Sequence, residues 1–383
     1  MVILNLKLDN VLSFYDFNIN FSYPAKLRTS LIDNERLCNI PGFRYKKVNI
    51  FVGSNAAGKT SLIKCIWATL YFILTKDFQM LKELLNDECE ESRIEIDIAE
   101  DQEDRHELHR FKILSKNREN QVSVSHTSVK LSTKISAKDS YETKAKELDS
   151  MPDRYRMPQE VLSEIHLNIG WRTILPATEF SFDSIDFAET ENERERRDYL
   201  NILDQILKTL DPSILNIRRS KDANNAFVIE QNNKRKIIVQ KGNKVSAIPY
   251  LSSGTKYGIN IANMMFAIKY HKNGIYLIDE QFSYVNADIE AAILSTMVMM
   301  LGENEQIFFT THNSDILGLG FPFHSFYFLK KRNENGKARI SVSCGSEIEN
   351  RNNVSPKTLI DNDVFATAPN VDRIFKLGEY QDE

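Results

Sequence analysis

Cysteine and long apolar runs are both scarce in this 383-residue sequence. The four cysteines are Cys38, Cys65, Cys89 and Cys344. They form no CxxC pair or zinc knuckle, and their low density argues against a disulfide framework, so we expect a reducing, cytoplasmic compartment. The longest apolar run, CIWATLYFIL, is too short to cross a bilayer and predicts a buried helix. The amino-terminal MVILNLKLDNVLSF alternates like a strand and lacks the pattern of a signal peptide.

An excess of positive charge is also missing. The 49 basic and 53 acidic residues give a formal net charge of −4, which argues against a globally basic nucleic-acid binder but allows a local basic face. No sustained apolar heptad runs through residues 76–245, so long coiled-coil arms are excluded. No repeat at solenoid spacing occurs. The 42% hydrophobic and 27% charged content is that of a globular protein with a full core.

The order of predicted elements suggests one main domain whose sequence is divided by an insertion. We expect residues 1–75 to form its amino-terminal part, and residues 76–245 to form an inserted helical and β lobe. Residues 246–330 would complete this main domain, and residues 331–383 would form a hairpin and a polar tail. Within the lobe, SRIEIDIAE alternates like an edge strand, and His106 and His109 are expected to face solvent. A charged helix is predicted over 193–210.

A glycine-rich loop carries the strongest functional signal. GSNAAGKT matches G-x-x-x-x-G-K-[ST], and it follows the apolar strand VNIFVG and precedes an apolar helix. In that context, loop amides and the helix amino terminus bind phosphate oxygens. Lys59 would reach the β and γ phosphates, and the Thr60 hydroxyl would ligate Mg²⁺. The predicted ATP-binding residues of the loop are Gly53, Ser54, Asn55, Ala56, Ala57, Gly58, Lys59, Thr60 and Ser61.

Two later apolar strands end in polar residues that suit the same chemistry. GIYLIDE delivers Asp279 and Glu280, which predicts a magnesium ligand followed by a group that polarises the attacking water. The strand in FFTTHNSDIL ends before His312, which we expect either to contact the γ-phosphate or to lie at a strand end without a catalytic role.

Together these motifs resemble those of the ABC-type ATPase heads of the SMC, RecF and OLD families. In those families a signature motif, typically LSGGQ-like, lies shortly before the acidic strand, where this chain has LSSGT. Ser252 matches the signature serine and Gly254 its second glycine, whereas Ser253 replaces the first glycine. The resemblance implies that this segment caps the ATP bound by another subunit. A helix N-cap at Ser252 or Ser253 is the alternative, and both interpretations can hold together.

A narrower resemblance concerns bacterial antiphage-defence ATPases of the AAA family, such as those of the Septu, PARIS and AbiL-type systems. ILPATEF resembles their IPAER-like stretch, although Phe180 stands where arginine is usual. The expected fold class is therefore α/β, an ABC-type P-loop NTPase head with a mixed central sheet, flanking helices, an antiparallel β lobe and an inserted α/β lobe. The resemblance implies slow, regulated ATP hydrolysis with Mg²⁺, an ATP-dependent homodimer or higher oligomer, and no membrane partner.

Three functions remain open at this point. The first is a defence ATPase that controls a separately encoded effector such as a nuclease, because IDND at 360–363 is interpreted as a solvated turn rather than a Toprim acidic pair. The second is a DNA-repair or chromosome-maintenance ATPase of RecF or SMC type. The basic runs NIRRSKDANN and NNKRKIIVQKGNK would then contact DNA, unless they are solvated hairpins. The third is a nucleotide-gated scaffold with very slow hydrolysis.

Overall fold

The structure is a computed structural model. It describes residues 1–24, 32–86, 91–102, 105–118, 121–132, 135–165, 167, 170–174, 192–221, 226–233, 235–240, 252–280, 282, 285–334 and 336–348. Within these ranges, no helix is long and apolar enough to span a membrane.

The described part of the chain contains fourteen strands and eight α-helices. The strands are β1 Val2–Asp9, β2 Phe17–Asn20, β3 Val48–Val52, β4 Glu91–Gln102, β5 Arg105–Arg118, β6 Gln121–Ser132, β7 Trp171–Ile174, β8 Ile214–Arg219, β9 Ala226–Gln231, β10 Lys236–Gln240, β11 Ile275–Asp279, β12 Gln306–Thr311, β13 Phe326–Glu334 and β14 Lys337–Cys344. The helices are α1 Lys59–Thr75, α2 Gln79–Lys82, α3 Tyr141–Ser150, α4 Pro158–Ser163, α5 Glu193–Leu210, α6 Ser253–Lys269, α7 Ala287–Met300 and α8 Gly345–Ile348.

A six-stranded sheet in the order β14-β13-β3-β12-β11-β7 forms the centre of the fold. All of its neighbouring pairs are parallel except β13 and β14, which form an antiparallel hairpin. Strands β3, β11 and β12 are buried along their whole length, as expected for parallel strands covered on both faces. Because parallel strands end at the same edge, the residues that follow β3, β12 and β11 gather there. The mixed central sheet agrees with the predicted fold class.

Two hydrophobic cores cover the two faces of this sheet. On one face, Phe51 of β3 packs in a core with α1, β1 and β4. On the other face, Ile50 of the same strand packs in a core with α6 and α7. The alternation of neighbouring β3 residues between two apolar cores explains why VNIFV is almost uniformly apolar.

The amino-terminal strands belong to a second sheet, in the order β2-β1-β4-β5-β6. The interpretation of residues 92–100 as an edge strand was wrong, because β4 lies between β1 and β5 and pairs with both. Acidic residues are frequent in and around β4. However, Asp97 is fully buried and its two carboxylate oxygens each accept a hydrogen bond from Arg110, at 2.7 Å. A paired charge of this kind can lie inside a protein.

A third sheet, β10-β9-β8, packs with α5 and α6 around a small core of its own. Helices α5 and α6 approach closely at Gly258, where a Cβ atom would lie only 2.5 Å from Leu207 Cδ2. Residues 76–245 thus contribute strands to all three sheets, three to the amino-terminal sheet, one to the central sheet and three to this one. The domain boundaries at 75, 245 and 330 stay a prediction.

Candidate functional site

The glycine-rich loop joins the end of β3 to the start of α1, as the sequence predicts. Two glycines are required for its path. At Gly53 a Cβ atom would lie 2.6 Å from the carbonyl oxygen of Leu329, and at Gly58 it would collide with the Cδ1 atom of Ile340. Gly58 also has a φ of 102°, in the left-handed region that favours glycine. The loop is therefore held against the β13–β14 hairpin, with its helix amino terminus open to a ligand.

Lys59 lies folded back over this loop and is only 2% exposed. Its ammonium group donates hydrogen bonds to the carbonyl oxygens of Gly53, at 2.9 Å, and Ser54, at 3.2 Å. The same Nζ atom lies 3.1 Å from Glu280 Oε1. The structure thus brings the predicted loop cation and the predicted water-polarising carboxylate into direct contact.

Asp279 ends β11 beside the loop and is fully buried. Its Oδ1 atom accepts hydrogen bonds from Thr310 Oγ1, at 2.6 Å, and from Thr60 Oγ1, at 3.2 Å. Burial raises the pKa of the Asp279 carboxyl, while the two hydroxyl groups and the Lys59 charge oppose this rise. A hydroxyl and a carboxylate oxygen side by side are the ligand types that Mg²⁺ prefers, so the predicted pair of metal ligands fits the ion.

Glu280 adopts an unusual backbone conformation next to Asp279. Its φ is 43°, which is uncommon for a residue with a side chain, and such conformations cluster at functional sites. Its backbone N–H donates to Thr310 Oγ1, at 2.9 Å, so Thr310 contacts both acidic residues. The carboxylate itself is 30% exposed. Sequence reasoning missed Thr310, whose only signal was its position at the end of the neighbouring buried strand.

These groups surround a cleft of about 310 Å³. Among the described residues, those that line it are residues 55–61, Glu280 and Lys331. Eight of these nine residues were predicted as ATP-binding or catalytic from the sequence, and Lys331 was not. The cleft combines a helix amino terminus, two lysine side chains and an acidic group at one end, which suits a polyphosphate.

His312 follows β12 at the same sheet edge and is exposed. Its neighbours are fixed by one buried residue: Glu290 of α7 accepts from Thr311 Oγ1, at 2.9 Å, and from Asn313 Nδ2, at 2.8 Å. His312 makes no hydrogen bond to Lys59 or Glu280 within the described part of the chain. Its contact with a γ-phosphate therefore stays a prediction.

The signature-like segment lies at the start of α6. Ser252 is the N-cap, and its Oγ atom accepts from the Thr255 backbone N–H at 3.1 Å, so the helix-cap interpretation is correct. Among the described residues, a Cβ atom on Gly254 would meet nothing closer than Ser252 Oγ, at 3.8 Å, so none of them covers this helix start. The residues that line the cleft of the same chain include neither Ser252 nor Gly254. The side chain of Ser253 lies outside the described part of the structure.

The remaining predictions from the sequence concern two histidines and the stretches ILPATEF and IDND. His109 is buried rather than solvent-facing, and its Nε2 atom lies 3.1 Å from Glu107 Oε2, so that interpretation was wrong. His106 is partly buried and contacts Asp101 at 2.8 Å. The polar character of this strand had suggested full solvation, but these histidines have carboxylate partners. Phe180, with the rest of ILPATEF after Ile174, and IDND at 360–363 lie outside the described residues.

Solved structures of ATPase heads resemble this fold. An SMC head bound to the C-winged helix domain of ScpA has 12% identity and a TM-score of 0.52, covering 91% of this chain and 100% of that chain. The SMC head domain from Thermotoga maritima has 15% identity and a TM-score of 0.45, covering 90% and 99%. The recombination mediator protein RecF-ATPrS has 12% identity and a TM-score of 0.39, covering 88% and 98%. At these identities, the first likeness shows the fold: an SMC-head-like ABC-type P-loop ATPase architecture.

Sequence comparison gives the family. No protein with a curated description matches this chain. A family model described as an AAA domain matches residues 5–248, which is more than half of the sequence and includes the glycine-rich loop. The loop geometry and this match agree, and the chain belongs to the AAA domain family.

Proposed function

We propose that this protein is an ABC-type ATPase that binds ATP with Mg²⁺ and hydrolyses it to ADP and phosphate. The observation that supports this best is the meeting of Lys59, Thr60, Asp279 and Glu280 at one cleft, although they come from places up to 221 positions apart. Amides of residues 53–58 and the start of α1 would bind the phosphate oxygens. Lys59 would neutralise the β and γ phosphates.

Each acidic residue has a separate role in this proposal. Thr60 and Asp279 would hold Mg²⁺, which supplies positive charge to the phosphate oxygens when bound. Glu280 would orient and polarise the attacking water. Since Lys59 and Glu280 pair at 3.1 Å, a γ-phosphate that attracts Lys59 would also release the Glu280 carboxylate for that water. Thr310 would hold the Asp279 carboxylate and the Glu280 backbone in place through its two hydrogen bonds.

The helix start at Ser252 suggests that the complete site needs two chains. Its hydroxyl, the open backbone at Gly254 and the amino-terminal dipole of α6 form a surface that favours an anion. Because these residues do not line the cleft of their own chain, we propose that they cap the γ-phosphate held by a partner copy. ATP would then stabilise a homodimer or a higher oligomer.

For the biological role we propose a sensor or regulator in a bacterial antiphage defence system, controlling a separately encoded effector. One support is the resemblance of ILPATEF to the IPAER-like stretch of defence ATPases. The other is that IDEQFSYVN lacks the PE…LHP pattern that is common after the acidic strand in the SMC, RecF and OLD families. A nuclease or Toprim gene beside this reading frame would favour this role. Replication genes there would favour repair.

A DNA-repair or chromosome-maintenance role is the second candidate. It depends on the basic residues around β8 and β10, but several of these are already paired. Glu230 contacts Arg218 at 3.0 Å and Lys236 at 3.8 Å, and these contacts keep the pKa of Glu230 low. Arg219 lies 3.4 Å from Glu193. Such pairing favours the interpretation of this region as a solvated hairpin, so DNA binding ranks second.

Hydrolysis itself is tested by magnesium removal. The purified protein should release phosphate from ATP when Mg²⁺ is present, and EDTA should reduce the rate to background because Thr60 and Asp279 lose the ion they position. Restoring Mg²⁺ should restore the rate. Phosphate release that continues at the same rate in EDTA would contradict the assignment of Thr60 and Asp279 as metal ligands.

A further inference from the structure

The β13–β14 hairpin lies directly against the phosphate loop. The carbonyl oxygen of Leu329 on β13 sits over Gly53, and the side chain of Ile340 on β14 sits over Gly58. The backbone N–H of Ile340 also donates to the carbonyl oxygen of Ser13 at 3.0 Å, and this hydrogen bond holds that part of the hairpin in place. The hairpin is therefore a fixed wall of the cleft.

Lys331 lies on the side of this hairpin that faces the loop. It is the cross-strand partner of Ile340 in the β13–β14 register, and directly opposed residues of an antiparallel pair project from the same face. Lys331 is exposed and lines the cleft. Among the described residues, its ammonium group makes no ion pair or hydrogen bond. Its neighbour Lys330 pairs with Ser341 and projects from the opposite face.

The sheet order places Lys331 and Glu280 at opposite ends of the cleft. Strand β3, which carries the loop, lies between β13 on one side and β12 with β11 on the other. Asp279 ends β11 and Glu280 follows it, so that side is the magnesium and γ-phosphate end of the proposed site. The β13 side is then the end nearer to the nucleoside.

We infer that Lys331 binds the α-phosphate of the nucleotide, an inference that rests on the proposed ATP-binding function. A flexible lysine at the open wall of the cleft supplies a cation to a phosphate that neither Lys59 nor the magnesium ligands reach. The α-phosphate is common to ATP and ADP. Lys331 therefore strengthens the binding of both nucleotides and takes no part in the cleavage of the γ-phosphate.

The test compares Lys331→Ala with Lys330→Ala as the matched control. Lys331→Ala should weaken ATP and ADP binding by the same factor, about 3- to 30-fold, with kcat unchanged at saturating ATP. Lys331→Arg should keep most of the affinity, and the loss in Lys331→Ala should shrink at high salt. Lys330→Ala should bind both nucleotides like the wild type. Fluorescence titration with labelled ATP and ADP measures each value.

Two outcomes would overturn the inference while leaving ATP binding intact. If wild-type protein binds ATP and Lys331→Ala binds both nucleotides equally well, Lys331 does not contact the nucleotide. If only the affinity for ATP falls, Lys331 contacts the γ-phosphate, and its assignment to the nucleoside end of the cleft is wrong. Failure of the wild type to bind either nucleotide would instead contradict the proposed function, which separates the two claims.

Discussion

Lys59→Ala should lower the affinity for ATP by about 100-fold or more, because several charge-assisted contacts to the phosphates are lost together. The ammonium group is nearly buried and is held over the loop by the carbonyl oxygens of Gly53 and Ser54. A phosphate in the cleft would replace Glu280 as the anionic partner of this ammonium group. Equilibrium binding of a labelled ATP analogue measures the loss, and ATP hydrolysis should disappear with it.

Lys64→Ala is the matched control for this substitution. Lys64 lies on the same helix α1 but is exposed, outside the lining of the cleft. Its removal should leave affinity and turnover unchanged. Thermal unfolding of both variants shows whether the fold is kept. A Lys59→Ala protein that is folded and binds ATP like the wild type would contradict the phosphate-loop assignment.

Glu280→Gln should keep ATP binding and slow hydrolysis by about 100-fold or more, the size of effect expected when a general-base-type group is lost. The amide has nearly the same shape, so the backbone contact with Thr310 at 2.9 Å should persist. Removing a negative charge 3.1 Å from Lys59 should also favour phosphate binding. ATP should accumulate in the variant and prolong its assembly, which size-exclusion chromatography with ATP would detect.

Asp288→Asn gives the matched control for this second variant. Asp288 is an exposed acidic residue in the first turn of α7, away from the cleft, and its neutralisation should leave the rate unchanged. The comparison separates the loss of a particular carboxylate from a general loss of negative charge. If Glu280→Gln turned over ATP at the wild-type rate, another residue would have to activate the water.

Local patterns were sufficient to predict the elements that form the candidate site. The strands that precede Gly53 and that end at Asp279 and Thr311 are short apolar runs, and each is followed by polar residues. Because buried parallel strands have this pattern, their shared edge could be predicted before any contact was known. The cap at Ser252 was likewise visible, since it depends on residues only three positions apart.

Long-range pairing could not be predicted in the same way. The alternation in β4 indicates a strand, but not that β1, more than 80 positions earlier, is its neighbour. Asp97 is buried against Arg110, which lies 13 positions along the chain on the neighbouring strand β5. His109 was expected to face solvent because its segment is acidic and polar, although its partner Glu107 is only two positions away. Lys331 had no motif of its own. Only the register with Ile340 and the contact of Ile340 with the loop place it at the cleft.

We propose above all that a working ATP site takes its loop from one chain and its helix start from another. Lys59→Ala damages the loop side, and Ser252→Arg fills the anion surface with a long cationic side chain. Each protein alone should be inactive. In a mixed dimer, one shared site carries both defects and the other carries neither. Ser252→Ala, which removes the cap without filling the surface, shows how much activity the helix cap alone accounts for.

Mixing the two inactive proteins under conditions that allow subunit exchange is the most direct measurement, with phosphate release and trapped nucleotide both counted. Exchange is followed independently by energy transfer between fluorescent labels on the two proteins. We expect activity or trapped nucleotide to reappear in the mixture, because one intact shared site forms per mixed dimer. Demonstrated exchange with neither activity nor trapped nucleotide would contradict the shared site and leave Ser252 as a helix cap.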